Sequence, residues 1–281
     1  MKLPPFAKIA FTFFCLGLGA ATSFAQPPVL SEDFESGRID LTKWEVRTLR
    51  PDTKVGMKVV EGGAHGRYAL QVHYPAGTER SGFASLVASH LPESVRGHLF
   101  GRAYIKIPGG LPLAHTQLVF AGIPGYPKAK YQEIGINLPV RRSADGTPPP
   151  APDPATIQPR WVFIYQQNLA ATPAEGRGED VRSADASPYG KWMLLEWEFN
   201  DDPTTTRIWL DGQPVAAKEG DKEVETFSFK WPKNTPETRH LVGGYQEAGF
   251  GVRSFSPGVT KDFDVLFDDL AIGTERLGPV K

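Results

Sequence analysis

Phe263-Asp264-Val265-Leu266-Phe267-Asp268-Asp269-Leu270-Ala271-Ile272-Gly273-Thr274-Glu275-Arg276 closes the chain as an apolar strand interrupted by adjacent acids. A counterpart stands at the other end, Ser31-Glu32-Asp33-Phe34-Glu35-Ser36-Gly37. An acidic, aromatic strand at each terminus predicts a sheet that pairs its first and last strands. The same pairing brings carboxylates from both ends within reach of one hard cation.

Between these ends, period-two alternation recurs over residues 69–74, 100–107, 116–123, 132–138, 161–168, 192–200 and 205–210. Most runs are bounded by Gly, Pro, Asn or Asp, the punctuation of an antiparallel sandwich. No long helical period and no internal repeat interrupts them. Arg207-Ile208-Trp209-Leu210 runs into Asp211-Gly212 and Gln213-Pro214-Val215, and Asp-Gly predicts a tight type I′ hairpin there. Residues 140–159, rich in Pro, and 170–186, which are polar, read as surface insertions.

The chain starts with Lys2 and Lys8, an apolar run over residues 9–21, and then Ser23-Phe24-Ala25-Gln26. That is the pattern of a secretory signal peptide over residues 1–25, too short to span a bilayer comfortably. Residues 26–281 then form one large all-β domain that is secreted, extracellular or periplasmic. Cys15, the only cysteine, leaves with the signal, so stability rests on the core and on a bound metal rather than on disulfides. A formal net charge of -1 with no basic cluster argues against nucleic acid, and no feature calls for an obligate partner, so a monomer is expected.

Alternation also sorts each run into two faces. Ala103, Ile105 and Ile107 form an apolar set, with Arg102, Tyr104 and Lys106 opposite. Leu118 and Phe120 leave His115 and Gln117 on the other side. Ile134, Ile136 and Leu138 oppose Tyr131, Glu133 and Asn137, and Val162 and Ile164 oppose Phe163, Tyr165 and Gln167. If the four strands are neighbours, one surface collects Arg, Lys, His, Gln, Glu, Asn and Tyr, groups that hydrogen-bond sugar hydroxyls and carboxylates. Tyr245-Gln246-Glu247 adds to one edge of this groove.

Glu32-Asp33-Phe34-Glu35-Ser36-Gly37, Thr42-Lys43-Trp44, and Phe267-Asp268-Asp269-Leu270 with Thr274-Glu275-Arg276-Leu277-Gly278 resemble the cellulose-induced secreted protein of fungal cellulase systems. Gly101-Arg102-Ala103-Tyr104-Ile105-Lys106 and Arg207-Ile208-Trp209-Leu210-Asp211-Gly212 fit the same pattern. The resemblance implies a concanavalin A-like (lectin/glucanase) β-jelly-roll sandwich, shared with glucuronan lyase and alginate-lyase-like enzymes. It also implies a structural calcium ion held by Glu35 and Asp268, with main-chain carbonyls near His65 and Tyr68.

The activity it implies is β-elimination on a uronate-containing plant or microbial polysaccharide. Such chemistry needs the sugar carboxylate neutralised, a base for the adjacent C–H, and an acid for the leaving oxygen. Arg102, Gln117 and Asn137 are candidates for the first role, His115 or Tyr165 for the second, and Tyr165 or Tyr245 for the third. Tyr104, Lys106, Glu133, Asn137, Gln167 and Tyr245 complete the substrate-binding set. At Glu133 the chain departs from the family, where a basic residue stands; a carboxylate there repels a uronate unless Arg102 or Lys106 pairs with it.

Two other classes compete. A glycan-binding protein without catalysis would use the same groove. A retaining hydrolase needs two carboxylates about 5 Å apart. The Glu-x-Asp-x-x-Glu strand motif that places them in the laminarinase branch of this fold is absent. Glu196 and Glu198 share a strand face, but the aromatic residues around them read as core and leave both acids in solvent.

Overall fold

The structure is a computed structural model that describes residues 26–49, 54–76, 78, 82–107, 116–123, 131–138, 160–168, 176–177, 181–186, 190–201, 204–219, 222–228, 244–254 and 262–280. Its strands, in chain order, begin with β1 (Leu30–Glu32), β2 (Glu45–Leu49), β3 (Gly56–Glu61), β4 (Tyr68–Tyr74), β5 (Gly82–Ala88) and β6 (His98–Lys106). Next come β7 (Thr116–Ile123), β8 (Tyr131–Leu138), β9 (Arg160–Asn168), β10 (Gly176–Arg177), β11 (Val181–Ala186) and β12 (Trp192–Asp201). The remainder are β13 (Thr204–Leu210), β14 (Gln213–Pro214), β15 (Ala217–Glu219), β16 (Lys222–Val224), β17 (Phe227–Ser228), β18 (Glu247–Ser254) and β19 (Phe263–Gly273). One 3₁₀ turn, Glu93–Val95, precedes β6.

Two antiparallel sheets face each other. The terminal sheet runs β14-β13-β12-β6-β19-β4-β3, with β1 paired to β19 and β17 to β13. The opposing sheet runs β16-β15-β11-β9-β8-β7-β18-β5-β2, with β10 on β9. Consecutive strands repeatedly change sheet, as in β5 to β6 to β7, which is how a sandwich is closed without parallel crossovers.

The terminal strands pair as the sequence predicts, with Leu30 opposite Ile272, Ser31 opposite Ala271 and Glu32 opposite Leu270. The predicted hairpin is also present: Asp211 and Gly212 have φ of 49° and 80°, both positive as a type I′ turn requires. One insertion differs from expectation. Residues 181–186 form β11, which pairs with β9 on one side and β15 on the other. Residues 140–159 lie outside the described set.

The core lies between the sheets. Leu99, Ala103, Ile105, Leu195, Trp197, Phe199, Val265 and Phe267 from the terminal sheet meet Ala84, Leu86, Leu118, Ala121, Phe250 and Val252 from the opposing one. Burying each of the larger side chains stabilises the fold by about 1.5–3 kcal/mol. Trp197 packs edge-on to Phe250 across the sandwich, with ring centroids 5.6 Å apart. Gly101 makes this possible, because a Cβ there would overlap the Trp197 ring.

Gly101→Ala should therefore overpack the centre of the terminal sheet and cost about 1–3 kcal/mol. A chemical denaturation midpoint equal to that of the wild type would show that Trp197 has room to move.

Candidate functional site

Three regions contain the residues singled out by sequence. The first is the loop joining β3 to β4, which both chain ends hold through carboxylates. Glu35 accepts hydrogen bonds from the Arg67 and Tyr68 amides, each at 2.9 Å from Oε1. Asp268 Oδ2 accepts from the Ala64 amide at 2.7 Å and from the His65 amide at 3.4 Å, while Oδ1 accepts from Asp269 N–H at 2.8 Å. His65 Nδ1 lies 2.7 Å from Asp269 Oδ2, and its ring packs edge-on to Tyr104 at 4.3 Å.

The backbone beside each acid is unusual. Phe34, immediately before Glu35, has φ of 59°, and Asp269, immediately after Asp268, has φ of 49°. Such left-handed non-glycine residues cost of order 1–3 kcal/mol each and cluster where the structure needs a side chain re-aimed. At Asp269 the cause is visible: the β19–β6 register shifts between Asp268 and Ala271, a bulge that turns consecutive acids out of the strand. At Phe34 the fully buried ring anchors the turn from below while Glu35 reaches the loop.

The two acids respond oppositely to this setting. Main-chain hydrogen bonds from Tyr68 and Arg67 hold Glu35 below its usual range. Burial, reinforced by the neighbouring Asp269 carboxylate, pushes Asp268 up to about 6. Glycines shape the remaining space. A Cβ on Gly63 would stand 2.5 Å from the Tyr68 carbonyl oxygen and 2.9 Å from Asp268 Oδ2, and one on Gly66 would meet the Glu35 carboxylate at 2.6 Å. The donors are hard oxygens of the kind calcium takes. Among the described residues, no three His, Cys, Asp or Glu side chains gather as a metal cage, so a cation here would need main-chain carbonyls as well.

The second region is the outer face of the terminal sheet, where the structure separates residues that sequence had grouped. Arg102, Tyr104 and Lys106 lie on β6, in the terminal sheet, whereas Gln117, Glu133, Asn137, Tyr165 and Gln167 lie on β7, β8 and β9 in the opposing sheet. The hydrophobic core stands between the two sets. Arg102 instead donates to the Asp269 and Gly278 carbonyls at 3.4 and 3.2 Å, and burial raises the Tyr104 hydroxyl above its ordinary range.

Glu196 is also not in solvent. It is 1% exposed, and its carboxylate receives the Arg276 guanidinium at 2.8 Å and the Gly278 amide at 2.8 Å. Arg276 stacks over Trp209 at 4.5 Å. This polar face secures the C-terminal segment.

The third region is the face of the opposing sheet turned away from the core. Arg253, on β18, donates from Nη1 to Gln117 Oε1, on β7, at 2.8 Å. Its guanidinium lies over the Phe120 ring at 3.7 Å and near the Phe83 ring at 5.1 Å. Arg253 is 1% and Gln117 2% exposed, so this cation and amide are withdrawn from bulk water. Asn137 is the register partner of Gln117, and Glu133 pairs with Gly122.

Tyr165 pairs with Ile134, itself opposite core residue Ala121, and Gln167 pairs with Gln132. Tyr165 and Gln167 therefore occupy the alternate rows, not the row of Gln117 and Asn137. The sequence reading aligned β9 one residue out of step, and a one-residue slip exchanges the faces. Tyr245 is corrected too: it is fully buried in the core cluster, with its ring 6.2 Å from Phe199. His115 lies outside the described residues. Arg253 was missed, although alternation along Gly249-Phe250-Gly251-Val252-Arg253 would have placed it opposite Phe250 and Val252.

No protein-family model and no curated protein sequence matches this chain. Solved structures do share its fold. Cellulose induced protein, Cip1, is similar with a TM-score of 0.50 at 19% identity, over 89% of this chain and 100% of that one. The alginate lyase vAL-1 from a Chlorella virus is similar with a TM-score of 0.51 at 11% identity, over 88% of this chain and 99% of that one. The chain is thus an all-β jelly-roll sandwich. Among the described residues no helix is long and apolar enough to cross a membrane.

The raised Asp268 gives a pH test. Its folded-state value of about 6 stands above the ordinary 3.8, so this group's contribution is complete below pH 3.8 and is lost as pH rises through about 6. In chelator-treated protein, Asp268→Asn should gain melting temperature relative to wild type steadily between those limits. A difference that does not vary with pH would contradict the raised value.

Proposed function

We propose that this chain is a secreted, polysaccharide-active protein that binds a uronate-containing polymer on the non-core face of the opposing sheet and cleaves it by β-elimination. The observation that supports this reading is the Arg253–Gln117 pair, a guanidinium and an amide on one outward sheet face, flanked by Phe83 and Phe120. Guanidinium matches a carboxylate in charge and in planar donor geometry, and it does so most strongly where water is excluded. The alginate lyase of similar fold is consistent with uronate as the ligand.

In the reaction, Arg253 and Gln117 neutralise the sugar carboxylate and so acidify the adjacent C5–H. A base takes that proton, the electron pair forms the C4–C5 double bond, and the C4–O bond breaks as its oxygen takes a proton from water. His115 is the base we assign from sequence, one residue before β7 and in phase with Gln117 along the chain. Neither Tyr165 nor Tyr245 is retained as the acid, because of their register and burial.

Calcium is proposed at the β3–β4 loop, held by Glu35, Asp268 and the Tyr68 carbonyl, with His65 contributing through its main chain. Its part is structural: it would neutralise the acids that tie both chain ends to one loop.

Ultraviolet absorbance of the unsaturated uronate tests the reaction, on glucuronan, alginate and pectate with calcium present. Wild type should generate the signal on at least one polymer, and Arg253→Lys should lower kcat/KM by about 10²-fold or more, since Lys cannot match the two-donor geometry. Binding of these polymers without any absorbance rise would make the chain a non-catalytic glycan-binding protein. Calcium should raise the wild-type melting temperature by several degrees, rising with the logarithm of its concentration above the dissociation constant, and Asp268→Asn should abolish that response. An unchanged melting temperature would remove the metal from the account.

A further inference from the structure

The contact between the two chain ends does not stop at Leu30. Val29 N–H donates to the Ile272 carbonyl at 2.8 Å, and further back Gln26 N–H donates to the Glu275 carboxylate. Between these two donors stand Pro27 and Pro28, whose rings fix φ at about −65° and which carry no N–H of their own. A residue that precedes proline is itself pushed toward extended backbone. A stiff strut, not a free tail, therefore brings the Gln26 nitrogen to Glu275.

Glu275 is half-buried and follows β19 by two residues. Among the described residues it has no ion-pair partner. The adjacent cation is already committed. Arg276 donates to both Glu196 carboxylate oxygens, at 3.2 and 2.8 Å, and to the Gly212 carbonyl, while stacking over Trp209. The Glu275 carboxylate thus meets the Gln26 nitrogen, which is a neutral amide as long as residue 25 is attached.

The predicted leader ends at that bond. Ser23-Phe24-Ala25 has small residues at the two positions a signal peptidase reads, and cutting after Ala25 turns the Gln26 nitrogen into an α-ammonium. A charged donor holds a carboxylate roughly twice as strongly as a neutral one. A free N-terminal glutamine is also reactive. Its amine nitrogen attacks its own side-chain carbonyl carbon, the bond to the amide nitrogen breaks, and ammonia leaves with the proton the amine gives up. The product is a neutral lactam. Only the unprotonated amine can attack, so an ion pair that favours the ammonium slows ring closure.

We propose that removal of residues 1–25 makes Gln26 a clasp: its new α-ammonium ion-pairs with Glu275, extends the β1–β19 seam, and is thereby shielded from cyclisation. The proposal rests on the reading of the chain as secreted and adds to it a charge that exists only after processing.

The test uses the full chain expressed with its leader and recovered outside the cytoplasm, read by intact mass and N-terminal sequencing. Wild type should start at Gln26 with a free amine. During incubation at neutral pH, Glu275→Gln should cyclise about three- to tenfold faster, seen as loss of ammonia. Before cyclisation the same substitution should lower the melting temperature by about 1–3 °C, the range of one exposed pair, and after cyclisation by less. Gln26→Ala keeps the amine but cannot cyclise, and Glu275→Gln should lower its melting temperature equally. A start at Gln26 with cyclisation equally fast in wild type and Glu275→Gln overturns the clasp and leaves the secreted reading standing. A start at any other residue does the same. A chain kept in the cell with residues 1–25 attached overturns both.

Discussion

The antiparallel seam between β1 and β19 is the constraint on which the rest of the sandwich depends. It joins the two ends of the chain, and β19 then sits between β4 and β6 at the centre of its sheet. Closing so long a loop is not prohibitive, because the entropic cost grows only logarithmically with length. Yet without a disulfide the seam must be held by hydrogen bonds, packing and charge. Phe34 and Leu270 contribute buried apolar surface, and Glu35 and Asp268 then grip opposite sides of the β3–β4 loop. The left-handed residues at Phe34 and Asp269 are the local cost of aiming those carboxylates at the loop rather than along their strands.

Once that seam is set, the two outward faces take different roles. The C-terminal segment is fastened over the terminal sheet through Glu196, Arg102 and Arg276, so the polar residues there are engaged with the protein's own chain. The opposing sheet keeps a cation beside an amide at one end and an acidic pair around Arg47 at the other. A sandwich can carry such a face because the core is complete without it: Ala84, Leu86, Phe250 and Val252 all turn inward.

Much of this was legible in the sequence, for physical reasons. Alternation of Ala103, Ile105 and Ile107 states a strand and its buried side directly, and Asp211-Gly212 states a turn. The acids at each end announced the seam because apolar strands seldom hold adjacent carboxylates without a partner. What alternation cannot state is which sheet a strand joins. β6 and β7 are consecutive, but they lie in opposite sheets on either side of the core, and Arg102 and Gln117 therefore never share a groove. The run at Trp161 alternates aromatic and aliphatic residues, so both of its faces look apolar and alternation alone assigned Tyr165 and Gln167 to the wrong one. Tyr245 was misread because a tyrosine beside glycines looks like a groove edge, whereas here the glycine allows the turn that sends the ring into the core.

Hydrogen exchange of the full chain, with and without saturating uronate oligosaccharide, tests most directly which face is the site, whether or not bonds are cleaved. Slower exchange should appear in β5, β7 and β18, with β6 and β12 unchanged. Protection confined to β6, β12 and the C-terminal segment would place the ligand on the terminal sheet and contradict the account.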